Sequence, residues 1–161
     1  MLSFLLSIAF ANEPPPIVNG DQTDDFIQVG AIMAYSEQQG GFPFCSGTLI
    51  HEKWVATAAH CVEAVDEYDR YGFDIFFVLG DNLYNQSGWT DYDLAVSWVM
   101  HPEYTGSQYS LGADIGLMEL DVGFSDVEPI ALSQETPDST WQGTLLDYVG
   151  WGVTGDNRED S

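Results

Sequence analysis

One apolar stretch of the chain ends in a histidine. Apart from His60, no side chain between Trp54 and Glu63 can carry a positive or negative charge near neutral pH, and most are small or β-branched. This pattern predicts a buried strand with His60 at its end. A ring held by such a strand, with one edge exposed, could act as a general base. The alternative is a core histidine with both ring nitrogens hydrogen bonded.

Five segments, spread from residue 17 to residue 152, resemble a single protein family. They follow the same order as motifs of the chymotrypsin/trypsin family of serine endopeptidases. The segments are Ile17-Val18-Asn19-Gly20, Cys45-Ser46-Gly47-Thr48-Leu49-Ile50, Thr57-Ala58-Ala59-His60-Cys61, Asp114-Ile115-Gly116-Leu117-Met118-Glu119-Leu120 and Gly150-Trp151-Gly152. Because one such match alone is weak but five in order are not, they favour a general base over a core histidine.

The resemblance also implies a role for Asp114. Asp114 precedes a strand predicted over residues 115–120, where a partly desolvated carboxylate needs a hydrogen-bond donor. In the family, the aspartate at this position accepts a hydrogen bond from Nδ1 of the histidine, which takes the proton of a serine nucleophile. His60 and Asp114 are therefore the expected catalytic residues. Glu119 and Asp121 have no counterpart in the family's site, so we expect them to be solvated.

The family's nucleophile motif, Gly-Asp-Ser-Gly-Gly, does not occur in the 161 residues. Asp160-Ser161 cannot replace it, because it lacks the flanking glycines that allow a sharp turn and an oxyanion hole. We expect the chain to be a fragment of a serine endopeptidase, inactive as it stands, with the nucleophile and the specificity pocket encoded elsewhere. The alternative is a secreted, non-catalytic binding or scaffold protein with a protease-like fold.

Short apolar segments separated by glycine-containing turns favour an all-β fold. The resemblance implies a double antiparallel β-barrel, with the first barrel complete over residues 17–132. Residues 133–161 would be the linker and the beginning of the second barrel, with its first strand over 145–153. We expect little helix, with residues 62–71 forming a short helical turn and then an exposed loop.

The first residues predict secretion. Residues 1–11 are apolar and end in Ala9-Phe10-Ala11, which suits signal peptidase, and they are too short to span a bilayer. Residues 12–16 form a short proline-rich pro-segment. The resemblance implies activation by cleavage before Ile17, although Pro16 stands where a trypsin-activated precursor has Lys or Arg. We expect a secreted or periplasmic zymogen that is activated by an enzyme other than trypsin.

Cys45 and Cys61 are the only cysteines and lie 16 positions apart. In a secreted protein an even pair predicts a disulfide, whereas a metal site would need more ligands nearby. The family resemblance implies the same pairing.

The charge balance limits the partners. The chain has 26 acidic and three basic residues, a formal net charge of −23. Binding to nucleic acid or anionic lipid through a basic patch is therefore disfavoured. We expect protein or peptide substrates, a monomer, and a mostly solvated acidic surface.

The remaining candidate ligands are weaker. We expect no required cofactor. Some members of the resembled family, however, bind calcium in a loop near the position of residues 81–93. Asp81, Asp91 and Asp93 are the candidate calcium ligands, and a plain acidic loop is the alternative. His51 and His101 lie in turns, and no chemistry is expected of them.

Overall fold

The computed structural model describes residues 23, 25–82, 88–106 and 113–151. The predicted signal peptide, pro-segment and new N-terminus at Ile17 lie outside the described residues.

Six strands form one closed antiparallel barrel in the order β1-β2-β3-β6-β5-β4. They are β1 (Val29–Ser36), β2 (Gly40–His51), β3 (Trp54–Thr57), β4 (Asp74–Asn82), β5 (Gly88–Met100) and β6 (Gly116–Leu120). Within the described ranges, one α-helix, α1 (Ala59–Arg70), connects β3 to β4, and a single 3-10 turn occupies Ser139–Trp141. The expected all-β fold with a first antiparallel barrel is confirmed.

Strand β1 is buried on both of its faces. Ile32 and Ala34 point into the barrel, where they pack in the main core with Leu49, Phe77 and other apolar residues. Ala31 and Met33 point outward and are covered by Trp151 and by neighbouring side chains of β4. This double burial explains the continuous apolar sequence of β1. In a strand with one solvated face, apolar and polar residues would alternate.

The Phe77 ring occupies space beside two strand glycines. A Cβ atom built on Gly30 would lie 2.6 Å from Cζ of Phe77, and one on Gly47 would lie 2.5 Å from Cγ1 of Val55. Both distances are shorter than van der Waals contact. These glycines therefore serve close packing, as glycines inside strands often do.

Two predictions about the segment around His60 were wrong. β3 ends at Thr57, so His60 is not at the end of a strand, and residues 59–70 form a 12-residue helix in place of a short turn and a loop. The buried residues Ala59, Val62 and Val65 recur every three positions, a helical spacing that covers only residues 59–65 of the helix, before the acidic residues 66, 67 and 69. The helix packs on the barrel, and Nε1 of Trp98 in β5 donates a hydrogen bond of 2.6 Å to Asp66.

The strand predicted over residues 145–153 is not formed by its described part, 145–151. A strand requires a hydrogen-bonded neighbour, and no described segment pairs with these residues. Leu145 is almost fully exposed, whereas Trp151 contacts the barrel.

Candidate active site

The paired strands β3 and β6 bring His60 and Asp114 to one end of the barrel. Thr57, the last residue of β3, lies opposite Gly116, the first residue of β6. His60 follows Thr57 by three positions, and Asp114 precedes Gly116 by two. The register of this strand pair therefore places together two residues that are 54 positions apart in the sequence.

Gly116 allows α1 to pack closely against β6. A Cβ atom at this position would lie 2.5 Å from Cγ2 of Val62 and 3.3 Å from the carbonyl oxygen of Ala58. Any larger residue would push the start of the helix, and His60 with it, away from Asp114. The glycine of the segment Asp114-Ile115-Gly116-Leu117 is thus part of the geometry of the site.

Asp114 caps the first turn of α1. The residue before the helix, Ala58, provides no side-chain cap, so the first N–H groups of the helix need another acceptor. Oδ1 of Asp114 accepts a hydrogen bond of 2.9 Å from the backbone N–H of His60, and the backbone N–H of Ala59 also favours the charged form of this carboxylate. A carboxylate is well placed at the positive end of the helix dipole.

The other oxygen of Asp114 holds the imidazole of His60. Nδ1 of His60 lies 2.8 Å from Oδ2. An ionised carboxylate can only accept, so Nδ1 must carry the proton, and in the neutral ring Nε2 is then a free base. None of the described residues hydrogen-bonds Nε2, and the side chain of His60 is 49% exposed. Nε2 is therefore free to accept a proton from a group that approaches the exposed edge of the ring.

Opposing effects act on the Asp114 carboxyl. Desolvation favours its neutral form, but the backbone and ring hydrogen bonds from His60, the charge of His60 and the Ala59 N–H together outweigh it. The net result is a pKa below the ordinary value of 3.8. Asp114 is therefore ionised at neutral pH, as the assigned tautomer of His60 requires.

Cys45 and Cys61 form a disulfide, which confirms the predicted pairing. Their Cα atoms lie 6.0 Å apart, and the bond ties β2 to the residue that follows His60. Cys45, His60 and Cys61 are also the one group of three potential metal ligands that the described residues bring together. A disulfide provides no thiolate, so this cluster is poorly suited to bind a metal ion.

Two acidic residues, one near the far end of β6 and one just after it, have partners other than His60. Oε2 of Glu119 accepts a hydrogen bond of 2.8 Å from the hydroxyl of Ser97 on β5. Asp121 is exposed, and its carbonyl oxygen accepts a hydrogen bond from the Lys53 ammonium group. Neither carboxylate takes the place of Asp114.

His51 and His101 each stabilise a turn. Nδ1 of His51 accepts the backbone N–H of Lys53 at 3.3 Å, and Nδ1 of His101 accepts that of Glu103 at 3.2 Å. Both rings have a local structural partner, so neither is needed to explain the chemistry of the site.

The Asp93 carboxylate binds main-chain amides. Oδ2 accepts the N–H groups of Val122 at 3.0 Å and of Gly123 at 2.6 Å, and Oδ1 accepts that of Leu94. Asp91 accepts the N–H of Tyr92, and the side chain of Asp81 lies outside the described structure. Calcium binding at these residues stays a prediction, but Asp93 has a clear structural role in fixing the turn after β6.

A contact at the edge of the site was missed by the sequence analysis. The hydroxyl of Tyr104 donates a hydrogen bond of 3.2 Å to Oε2 of Glu63. A prediction of α1 would have placed Glu63 on the same face of the helix as His60, because Glu63 follows His60 by three positions. No sequence signal identified Tyr104 as its partner.

Comparisons with known proteins agree with this geometry. The Trypsin family model matches residues 17–161. The chain belongs to the trypsin family. It is 30% identical to Trypsin-1 of Salmo salar over 160 residues, which cover 98% of this chain and 59% of the relative. It is 32% identical to Trypsin theta of Drosophila melanogaster over 139 residues, which cover 84% of this chain and 48% of the relative.

The match extends to a relative with a different printed name. The chain is 28% identical to Chymotrypsin-like elastase family member 1 of Bos taurus over 130 residues, 79% of this chain and 46% of that protein. The chain thus spans about half of the length of the curated relatives that it matches. Among the described residues, no helix is long and apolar enough to cross a membrane.

Proposed function

We propose that this chain supplies the general base and its orienting carboxylate to a secreted serine endopeptidase. The observation that carries the proposal is the double hydrogen bond from His60 to Asp114, through the backbone N–H at 2.9 Å and through Nδ1 at 2.8 Å. It fixes both the position and the tautomer of the ring while half of the side chain stays exposed.

The proposed mechanism uses the free Nε2 of His60. It accepts the proton of a serine hydroxyl as that oxygen attacks the carbonyl carbon of a peptide bond, and later gives the proton to the leaving amine. Asp114 stays ionised throughout and stabilises the imidazolium that forms in between. Its lowered pKa supports this role, because protonation of the carboxylate would remove the acceptor at Nδ1.

The remaining catalytic parts are a serine nucleophile, an oxyanion hole and a specificity pocket. The family's nucleophile motif is absent from the 161 residues, so the proposed enzyme draws these parts from additional sequence. The substrates are then proteins or peptides. A base and its orienting carboxylate alone cannot form an acyl-enzyme, so the 161-residue chain should be inactive.

Maturation of the enzyme belongs to the same proposal. Residues 1–11 would direct secretion, and cleavage between Pro16 and Ile17 would release the mature N-terminus. The Trypsin family match begins at residue 17, which supports this boundary. N-terminal sequencing of the secreted protein tests it, since a mature chain that begins at Asn12 would contradict activation at Ile17.

A serine-directed fluorophosphonate probe tests the proposed activity. The 161-residue chain and the product of a longer reading frame are expressed and labelled side by side, together with His60→Ala and His51→Ala variants of the longer product. We expect labelling of the longer product and of its His51→Ala control, with little labelling of His60→Ala or of the 161-residue chain. Labelling that does not depend on His60 would contradict the proposed base.

The absence of the nucleophile motif favours a second candidate function, a non-catalytic secreted binding protein with the same barrel. The same experiment separates the two. A reading frame that ends at Ser161, or one that continues without the motif and is not labelled, would support the binding protein.

A further inference from the structure

A further hydrogen bond joins α1, which carries His60, to the segment between β5 and Asp114. It runs from the hydroxyl of Tyr104 to Oε2 of Glu63, at 3.2 Å. Glu63 follows His60 by three positions on α1, so the two side chains share one face of the helix. Tyr104 lies after β5, on the segment of chain that leads to Asp114.

Main-chain hydrogen bonds connect Tyr104 to the residue next to Asp114. The N–H of Tyr104 donates to the carbonyl of His101, and the N–H of His101 donates to the carbonyl of Ile115, both at 2.9 Å. A shift of Tyr104 would therefore reach the main chain beside Asp114 through two hydrogen bonds.

The phenol of Tyr104 remains a donor across the whole physiological pH range. Burial, the charge of Glu63, the hydrogen bond to Glu63 and the charge of Asp114 all raise the pKa of Tyr104 above its ordinary value of 10.0. The Tyr104 hydroxyl thus keeps its proton for the hydrogen bond to Glu63 at neutral pH.

We infer that Glu63 and Tyr104 are positioning residues for the His60–Asp114 pair. Their hydrogen bond holds the first turns of α1 against the segment after β5, at the separation that the bond between Nδ1 and Oδ2 requires. The inference deepens the proposed function and rests on it for its catalytic meaning. Neither residue is assigned contact with the reacting atoms, and both act through His60 and Asp114.

The state of the His60 ring can be measured without catalysis. Nitrogen-15 NMR of the 161-residue chain gives the tautomer of His60 and the hydrogen-exchange rate of its Nδ1 proton, with His60→Gln used for assignment. Tyr104→Phe removes only the donor hydroxyl. Glu63→Ala removes the acceptor, whereas Glu63→Gln keeps an acceptor and removes the charge.

We expect exchange of the Nδ1 proton to become about fivefold faster in Tyr104→Phe and in Glu63→Ala, the factor that one ordinary hydrogen bond contributes to an equilibrium. Glu63→Gln should retain most of the protection. The matched controls are Tyr71→Phe and Asp69→Asn, both exposed and at the far end of α1, and they should leave the rate unchanged. The double variant Tyr104→Phe/Glu63→Ala should be no faster than either single variant.

An unchanged exchange rate in Tyr104→Phe, an equal change in Tyr71→Phe, or additive effects in the double variant would overturn the inference. If Tyr104→Phe does not fold, the two Glu63 variants still test the inference. Exchange of the Nδ1 proton should then be faster in Glu63→Ala and close to the wild-type rate in Glu63→Gln. Because the measurement reads His60 directly, its outcome is separate from that of the fluorophosphonate test.

Discussion

Both oxygens of Asp114 are held by one residue, His60, through its backbone N–H at 2.9 Å and its ring Nδ1 at 2.8 Å. The backbone contact fixes where the carboxylate lies, and the ring contact fixes which nitrogen of the imidazole carries the proton. A single aspartate thereby caps α1 and orients the candidate base.

Asp114→Asn separates these two roles. The amide oxygen can still accept the backbone N–H, but the NH₂ group then faces Nδ1 and donates to it, so the neutral ring must carry its proton on Nε2. We expect nitrogen-15 NMR of the variant to show the Nε2–H tautomer. In a complete enzyme, turnover should fall by about 10⁴-fold, the established size of this effect in the family. An unchanged tautomer would contradict the assigned hydrogen bond.

Stability should depend on pH through Asp114. Its pKa is lower in the folded protein than its ordinary value of 3.8, so its contribution is fully present above 3.8 and is lost as the pH falls through the lower folded value. We expect the difference in free energy of unfolding between the wild type and Asp114→Asn to shrink as the pH falls below 3.8. Urea unfolding of both proteins over this range measures it, and the other carboxylates cancel in the difference. A difference that grows as the pH falls below 3.8 would mean that the pKa of Asp114 is raised.

Gly116→Ala should destabilise the barrel and disturb the site together. The new methyl would lie 2.5 Å from the buried Val62 side chain, and overpacking of this kind costs about 1 to 3 kcal/mol. Gly41→Ala is the matched control, since its methyl would lie 3.4 Å from the nearest atom, on Tyr35, and its stability should change by less than about 0.5 kcal/mol. Urea unfolding gives both values. Equal stabilities of the two variants would show that α1 can move away from β6 at little cost.

The sequence predicted the barrel and the disulfide, and it singled out His60 and Asp114, because short motifs determine them. The segment around Asp114 carries both the carboxylate and the glycine that close packing requires. The sequence did not predict α1, since its buried positions all lie from Ala59 to Val65 and residues 66–70 are mostly acidic and exposed, so the helical period is short. The Glu63–Tyr104 hydrogen bond could not be predicted either, because it depends on α1 and on a contact between residues 41 positions apart.

Trp151 should stabilise the barrel from outside. Its indole Nε1 donates a hydrogen bond of 2.9 Å to the carbonyl of Val29, its backbone N–H donates one of 2.8 Å to the hydroxyl of Ser46, and its ring covers the outer face of β1. Trp151→Phe keeps an aromatic ring but removes the Nε1 donor, so we expect a loss of about 1 kcal/mol in the free energy of unfolding. Trp141→Phe is the control, because Trp141 lies in the 3-10 turn and has no assigned side-chain hydrogen bond within the described structure. If Trp151→Phe unfolds at the same urea concentration as the wild type, the hydrogen bond from the indole to Val29 does not stabilise the barrel.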